Sequence, residues 1–392
     1  MGGIKVTLAN DLSLFEVEPQ ELNPYEKHFL LKNPFPGHGE PRFDVCTDQE
    51  DLKKRFIYGL KNFSTDAKRL RINGENGAGK TNILRYFEKL TDEARRSRLI
   101  KNLHPIYVSA PGESYYDIHG QIIDKLSELF LGDLFETLKS NPKEINTLSK
   151  KINSVSELLA VIKVLVVPDL FTIYGERHKD ALIRWLKGQK LSVSDKKLLT
   201  DRDRDRQLSD ITSTSLAMRF LNGLLLLLKE LGLCDGIVLL FDEFEEIFEG
   251  LPRARQSRYA QDLRHLFDTL TESVFFVIAT VPEPKDLGQY PAIERRLGEV
   301  LAIQAIDSPE LAINYVSDYL DFGRDKYDTH LKEQENQLGP SRPDGLKPLT
   351  EEDVKEEYSS IKKEIEEAEL DVLPGYFLPR MRERIRRIVE ES

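Results

Sequence analysis

Between residues 74 and 81 the chain reads "GENGAGKT": Gly74, four residues, then Gly79, Lys80 and Thr81. Glycines at 74, 77 and 79, an amine and a hydroxyl in one short turn are the groups that hold phosphate. The glycines let the backbone turn its N–H groups inward, where a side chain would block an anion. A helix beginning near Lys80 adds the positive end of its dipole. At this spacing Lys80 would reach the β- and γ-phosphates and the Thr81 hydroxyl would bind Mg²⁺. Glu75, Asn76, Ala78 and Asn82 complete the cofactor-binding segment.

Hydrolysis needs one acid for the metal and one for the attacking water. "GIVLLFDEFEEIF", residues 236–248, is an apolar run that ends in Asp242 and Glu243. An unbroken apolar run suits a strand covered on both faces. Asp242 would then lie at the strand's C-terminal end, where ligands of open α/β sheets collect. It would hold Mg²⁺ through water, and Glu243 would orient and deprotonate the attacking water. The structural alternative is a helix N-cap followed by a first-turn acid. Glu245 and Glu246 have no evident role and are expected in solvent. "SVFFVIATVPEP", 273–284, is a second buried strand ending at Thr280. Its hydroxyl would bond the γ-phosphate or the water, unless it only starts a turn. Arg295 and Arg296 precede a short strand. Either would stabilise charge on a transferring phosphoryl group, of a neighbouring subunit rather than its own, or else form a surface salt bridge.

These side chains need strands before them and helices after. Leu70 and Ile72 alternate with Arg69, Arg71 and Asn73, as in a half-buried strand. Ile83, Leu84, Phe87 and Leu90 recur at helical spacing. Strands are expected at 69–73, 105–110, 236–241, 273–280 and 299–305, separated by helical patterns. That order predicts an α/β fold with a five-stranded parallel sheet. A long insert, about 111–212, carries helical patterns and closes with "DRDRDR" at 201–206, read as a solvated run. Residues 214–233 are apolar nearly all round and should form a helix against the sheet.

Residues 1–31 read as a polar arm with one possible strand, "IKVTLA". Residues 32–307 would form the nucleotide domain and 308–392 a helical lid. In the lid, Ser308 and Pro309 pair as N-cap and first helical residue, and Thr350 with Asp353 as a cap. Val354, Tyr358, Ile361, Ile365 and Ala368 form a stripe that is either lid core or a partner-binding face.

The 392 residues are 40% hydrophobic and carry a net charge of −11, which excludes a chain-wide positive coat for nucleic acid. Local patches remain at "RARQSR", 253–258, and "RMRERIRRI", 380–388. No apolar run reaches membrane-spanning length, and no signal-peptide pattern opens the chain, so a cytoplasmic protein without a membrane partner is expected. Cys46 and Cys234 lack metal spacing and are too few for a disulfide framework. No guanine-reading Asn-Lys-x-Asp run follows a strand.

Together these residues resemble the AAA+ P-loop ATPases, in particular the clade of the origin-recognition and cell-division-control initiators. "GENGAGKT" is similar to Walker A and "VLLFDEF" to Walker B. Thr280 falls at the sensor 1 position. "ERRL" resembles the box that ends in the arginine finger, which favours Arg296 over Arg295. "PGYFLPRMRERI" resembles the sensor 2 helix, with Arg380 as its arginine, and "KNPFPGHGEPRFD", 32–44, the segment that covers the adenine. The chain stops soon after sensor 2, which implies that the initiators' winged helix is absent. "DALIRWLKGQKLS", 180–192, and the insert around it resemble the ATP-binding proteins of BREX-type phage-resistance systems. The resemblance implies an ATP- and Mg²⁺-dependent ATPase that assembles as a homo- or hetero-oligomer through an arginine finger. It would act with DNA and a nuclease, helicase or methyltransferase partner. The alternative is a nucleotide-gated recruitment module with little turnover.

Overall fold

The computed structural model describes residues 23–37, 44–63, 69–141, 143–152, 156–166, 168–200, 208, 210–248, 251–282, 287–333, 345–366 and 370–390. The possible strand "IKVTLA", the "DRDRDR" run, residues 38–43 of the adenine-covering segment and Ala368 lie outside them. Contacts divide the chain into two units, Gln49–Ile303 and a second formed by residues up to Asp48 with Gln304–Ser392.

The first unit is built on five strands, β1 (Arg69–Asn73), β2 (Leu103–Val108), β3 (Gly236–Phe241), β4 (Val274–Thr280) and β5 (Glu299–Ala302). They form one parallel sheet in the order β2-β3-β4-β1-β5, the arrangement of a P-loop NTPase fold. Every residue of β3 and β4 is buried, and helices on both faces explain why both strands are free of polar side chains up to Thr280, the last residue of β4. Phe275 stacks on Phe56 of α1 (Glu50–Lys61) at 5.7 Å, and Phe56 on Phe87 of α2 (Lys80–Arg96) at 3.9 Å. The next residue, Phe276, faces the other way and meets Phe267 edge-on at 4.9 Å. Successive residues of a strand point to opposite faces, so one strand grips both layers.

The alternation in β1 suggests a strand wet on one face. In the structure Leu70, Arg71 and Ile72 are all buried. β1 lies inside the sheet, between β4 and β5, so its polar residues face other parts of the protein rather than water.

The insert folds as α3 (Tyr115–Ser140), α4 (Lys143–Lys151), α5 (Ser156–Val166), α6 (Pro168–Leu186) and α7 (Val193–Leu198). Ser114 and Asp117 form a reciprocal capping box at the start of α3. The buried His119 ring lies 2.6 Å from the Leu186 carbonyl and ties α3 to the end of α6. α8 (Thr214–Glu230) is mostly apolar and largely buried, but its principal neighbours are α3, α6 and α9 (Arg253–Thr269) rather than the sheet. Two insert helices, α3 and α6, pack on it, and Trp185 meets Phe220 at 4.9 Å. After β4 a short helix, α10 (Pro291–Glu294), leads into β5.

The second unit holds α11 (Pro309–Glu333), α12 (Glu351–Glu366) and α13 (Pro374–Glu390). Leu311 N–H donates to the Ser308 hydroxyl at 3.3 Å, and Asp353 N–H to the Thr350 hydroxyl at 3.2 Å, so both expected caps form. Val354, Tyr358 and Ile361 are buried in the core of this unit and Ile365 packs partly against it, in line with the core reading of the stripe. Residues 32–37 and 44–48, expected with the nucleotide domain, pack here instead. Phe35 stacks on Tyr319 at 5.9 Å, and Thr47 donates to Asp318 at 2.7 Å. Arg324 is fully buried and fastens the 345–347 turn by donating to the carbonyls of Gly345 and Lys347 at 2.8 and 2.7 Å. Among the described residues, no helix is long and apolar enough to cross a membrane.

Candidate functional site

The strand order sets the ends of β3, β4 and β1 side by side. Asp242, Thr280 and the loop that starts at Gly74 therefore meet at one edge of the sheet. Gly74 N–H donates to the Thr280 carbonyl at 3.1 Å and joins the loop to β4. A Cβ at Gly74 would fall 2.9 Å from Ile303 Cδ1 and 3.1 Å from Ala78 Cβ, so a larger residue there would have to push these side chains aside. Gly77 and Gly79 take φ of 88° and 93°, in the left-handed region that glycine enters without steric cost. Gly79 is the N-cap of α2, so the amides of Lys80, Thr81 and Asn82 open the helix with no carbonyl of its own to bind.

Lys80 is 9% exposed. Its ammonium donates to the Gly74 carbonyl at 2.8 Å and lies 3.5 Å from the Glu75 carbonyl and 3.9 Å from Glu245 Oε1. The Thr81 hydroxyl donates to Asp242 Oδ2 at 2.6 Å. That oxygen also accepts from the Tyr107 hydroxyl at 2.7 Å, and burial followed by the bond to Asp242 raises the Tyr107 pKa. A hydroxyl and a carboxylate this close are oxygen ligands that fit Mg²⁺, which prefers a few protein oxygens plus phosphate and water to an all-protein cage.

Glu243 is exposed at the rim, with φ of 50°, an uncommon conformation for a residue with a side chain. Its N–H donates to Asp242 Oδ1 at 3.1 Å. Burial, then Glu246, Asp242 and Glu245, raise its pKa above the ordinary carboxylate value.

Thr280 is fully buried. Its oxygen accepts from Arg71 Nε at 3.1 Å and its hydroxyl donates to Asn73 Oδ1 at 2.7 Å. The hydroxyl proton is thus spent within the protein, on the last residue before the loop. The Arg71 guanidinium is 6% exposed, and burial lowers its pKa while Glu294 and Glu245 oppose that shift.

Glu245, expected in solvent, is buried, because a 3-10 turn at Phe244–Phe248 folds the chain inward directly after Asp242. Burial raises its pKa, against the opposing pull of the Glu245 and Val281 peptides and of Lys80.

Arg295 and Arg296 follow α10. Arg296 is held in a fork on Asp268 at 2.7 and 3.0 Å and donates to the Ala292 carbonyl at 2.7 Å. Arg295 is exposed and bonds the Pro291 carbonyl at 3.2 Å. In the second unit Arg380 pairs with Glu357 at 2.8 Å and Glu364 at 2.6 Å.

Several arginines of the two basic stretches pair with acids. On α13, Arg384 pairs with Asp353 and Glu356, and Arg386 with Glu383. Arg255 and Arg258 line a cleft of about 410 Å³ together with Glu113, Asp117 and Asp262.

Four residues at the site carry no signal in the sequence motifs: Arg71, Asn73, Tyr107 and Glu245. The polar positions of β1 were the available clue to the first two.

A family model described as "BREX system ATP-binding protein BrxC/D" matches residues 142–311. The match begins in the insert and takes in Asp242, Glu243, Thr280 and both arginines after α10, but not the glycine loop. No curated protein matches the chain. The chain is similar to that ATP-binding family over its insert and the latter strands of its sheet.

Proposed function

We propose that this chain binds Mg·ATP between the glycine loop and Asp242, hydrolyses it, and acts as an AAA+-type ATPase of a phage-defence complex of the BREX kind. The observation that carries the reading is the 2.6 Å hydrogen bond from Thr81 to Asp242, 161 residues apart, next to the buried Lys80. Amides of the loop and the first turn of α2 would take the inner phosphates. Lys80 would take the outer ones, with Thr81 and Asp242 beside the metal. Bound Mg²⁺ would supply charge neutralisation at the β- and γ-phosphates. Glu243, at the rim and with its proton affinity raised, suits the role of water-orienting base. Arg71, Thr280 and Asn73 form a rigid relay beside the loop, and Thr280 acts through Asn73 unless its hydroxyl rotates. Arg295, the more exposed arginine, suits a finger offered to a neighbouring copy or partner subunit better than Arg296, whose guanidinium is engaged by Asp268. Arg380 would act from the lid as sensor 2. Partners in this reading are further copies of the chain, DNA, and a nuclease, helicase or methyltransferase.

Three variants test it. Lys80→Ala should abolish nucleotide binding. Glu243→Gln should bind ATP and not turn it over. Asp242→Asn should weaken binding with Mg²⁺ far more than without it. Equal turnover by Glu243→Gln and the unaltered protein would remove the hydrolytic assignment.

A second reading, a nucleotide-gated recruitment module with slow turnover, is favoured by one observation: the Thr280 hydroxyl and the Arg296 guanidinium both have partners within the protein. Steady-state phosphate release with and without DNA separates the two readings.

A further inference from the structure

Glu245 is an anomaly at this site. Its side chain is nine-tenths buried, its Oε2 has no hydrogen-bond partner, and its Oε1 lies 3.9 Å from the Lys80 ammonium. Burying a carboxylate with one oxygen unsatisfied is costly, and an ammonium 3.9 Å away together with the Glu245 and Val281 peptides offsets only part of the cost. Such a group persists where it serves the site or where nothing better fills the space.

Its position indicates which. The Phe244–Phe248 turn begins where β3 ends, and the peptide of Val281, just past β4, lies close enough to bias the Glu245 carboxylate toward its charged form. Other charges facing it are Lys80 from α2, Arg71 from β1, and Asp242 and Glu243 from its own segment. Loop amides hold the inner phosphates of a nucleotide. The outermost phosphate therefore extends toward Lys80 and the ends of β3 and β4, the region that Glu245 occupies.

We propose that Glu245 is a specificity-determining residue that holds Lys80 in the empty loop and disfavours the outermost phosphate, setting the ratio of ATP to ADP affinity. In the empty state it contributes a counter-charge to the amine. When a nucleotide enters, an inner phosphate meets mainly loop amides, whereas a γ-phosphate brought to Lys80 also meets a carboxylate. Two like charges a few ångströms apart in a partly buried site change an affinity by about tenfold or more. The penalty falls mainly on triphosphate, because the β-phosphate that Lys80 also reaches stays within the loop amides, whereas the γ-phosphate extends beyond them. Glu245 thereby keeps ATP binding dependent on the metal, which offsets the extra negative charge.

The inference rests on the reading of this loop as a nucleotide site. Its test is the affinity of the full chain for ATP and for ADP, each with and without Mg²⁺, in the unaltered protein, Glu245→Gln and Glu245→Ala. Both variants should bind metal-free ATP about tenfold more tightly, while ADP changes by less than about threefold. The unaltered protein should itself bind metal-free ADP more tightly than metal-free ATP, which needs no variant to fold. An unchanged ratio in the variants, equal tightening of both nucleotides, or weaker ATP binding would overturn the assignment while leaving the nucleotide site intact. Binding of neither nucleotide by the unaltered protein would overturn both.

Discussion

At the scale of residues, the placement of the glycine loop beside Asp242 is legible in sequence because the motif fixes residue types and spacing together. Gly74, Lys80 and Thr81 stand where the motif requires, and Asp242 reaches Thr81 at 2.6 Å. What is not legible are groups that join the site by folding alone. Arg71 sits in a strand whose alternation reads as one wet face, a reading that fails once β1 lies between two neighbours. Glu245 is carried inward by a 3-10 turn, which follows neither the helical nor the strand period. Tyr107 meets Asp242 only because β2 pairs with β3. The Arg71–Thr280–Asn73 chain leads to a prediction. Thr280→Val should remove the hydroxyl that orients Asn73 and lower turnover about tenfold or more, with ATP affinity within about twofold. Thr280→Ser should restore most of the rate, whereas a purely structural role would lower the unfolding midpoint and leave turnover per folded molecule unchanged.

At the scale of elements, the backbone of the loop and the caps of the lid each carry a measurable expectation. A Cβ on Gly79 would meet open space, so the cost of Gly79→Ala lies in its φ of 93° alone. That conformation costs an alanine on the order of 1–2 kcal/mol. Glycine loops relax to escape such strain, so nucleotide affinity should fall about tenfold while global stability drops by no more than that amount. In the second unit Asp353 caps α12, accepting from Thr350 N–H at 2.8 Å and from Arg384 at 2.7 Å. Burial raises the Asp353 pKa, but the bonds from Thr350 and Arg384 outweigh it and leave the group below its ordinary value of 3.8. A depressed folded-state pKa stabilises above the unfolded value and is lost as pH falls through the folded one. Acid should therefore loosen this unit below about pH 4, within the ordinary range for aspartate. Asp353→Asn should be less stable by about 1 kcal/mol at neutral pH and less sensitive to acid, as followed by unfolding of the full chain at several pH values. Helical periodicity indicated the insert and lid helices, but not their neighbours. α8 reads the same whether a sheet or other helices cover it, and the structure packs it mainly against α3, α6 and α9.

At the scale of the whole molecule, the five-stranded parallel sheet followed from the alternation of apolar runs with helical segments, since parallel strands require crossovers. The allocation of residues 32–37 and 44–48 did not follow, because Phe35 and Val45 enter the core of the C-terminal helices from far away in sequence. A site completed by a neighbouring copy makes activity depend on protein concentration. Arg295→Ala should bind ATP as the unaltered protein does yet lose the concentration-dependent rise in rate. Arg296→Ala should also break its fork on Asp268 and so lower stability as well. A mass measurement with ATP and with ADP reports the assembly, and equal mass and equal specific rate at every concentration would remove the shared site.

The central claim is that a magnesium-bound triphosphate lodges between the glycine loop and Asp242. Titration calorimetry of the full chain with Mg·ATP tests it most directly. The account predicts one saturable site per chain, absent in Lys80→Ala and weakened in Asp242→Asn only when Mg²⁺ is present. No heat from the unaltered protein, or the same isotherm from Lys80→Ala, would contradict it.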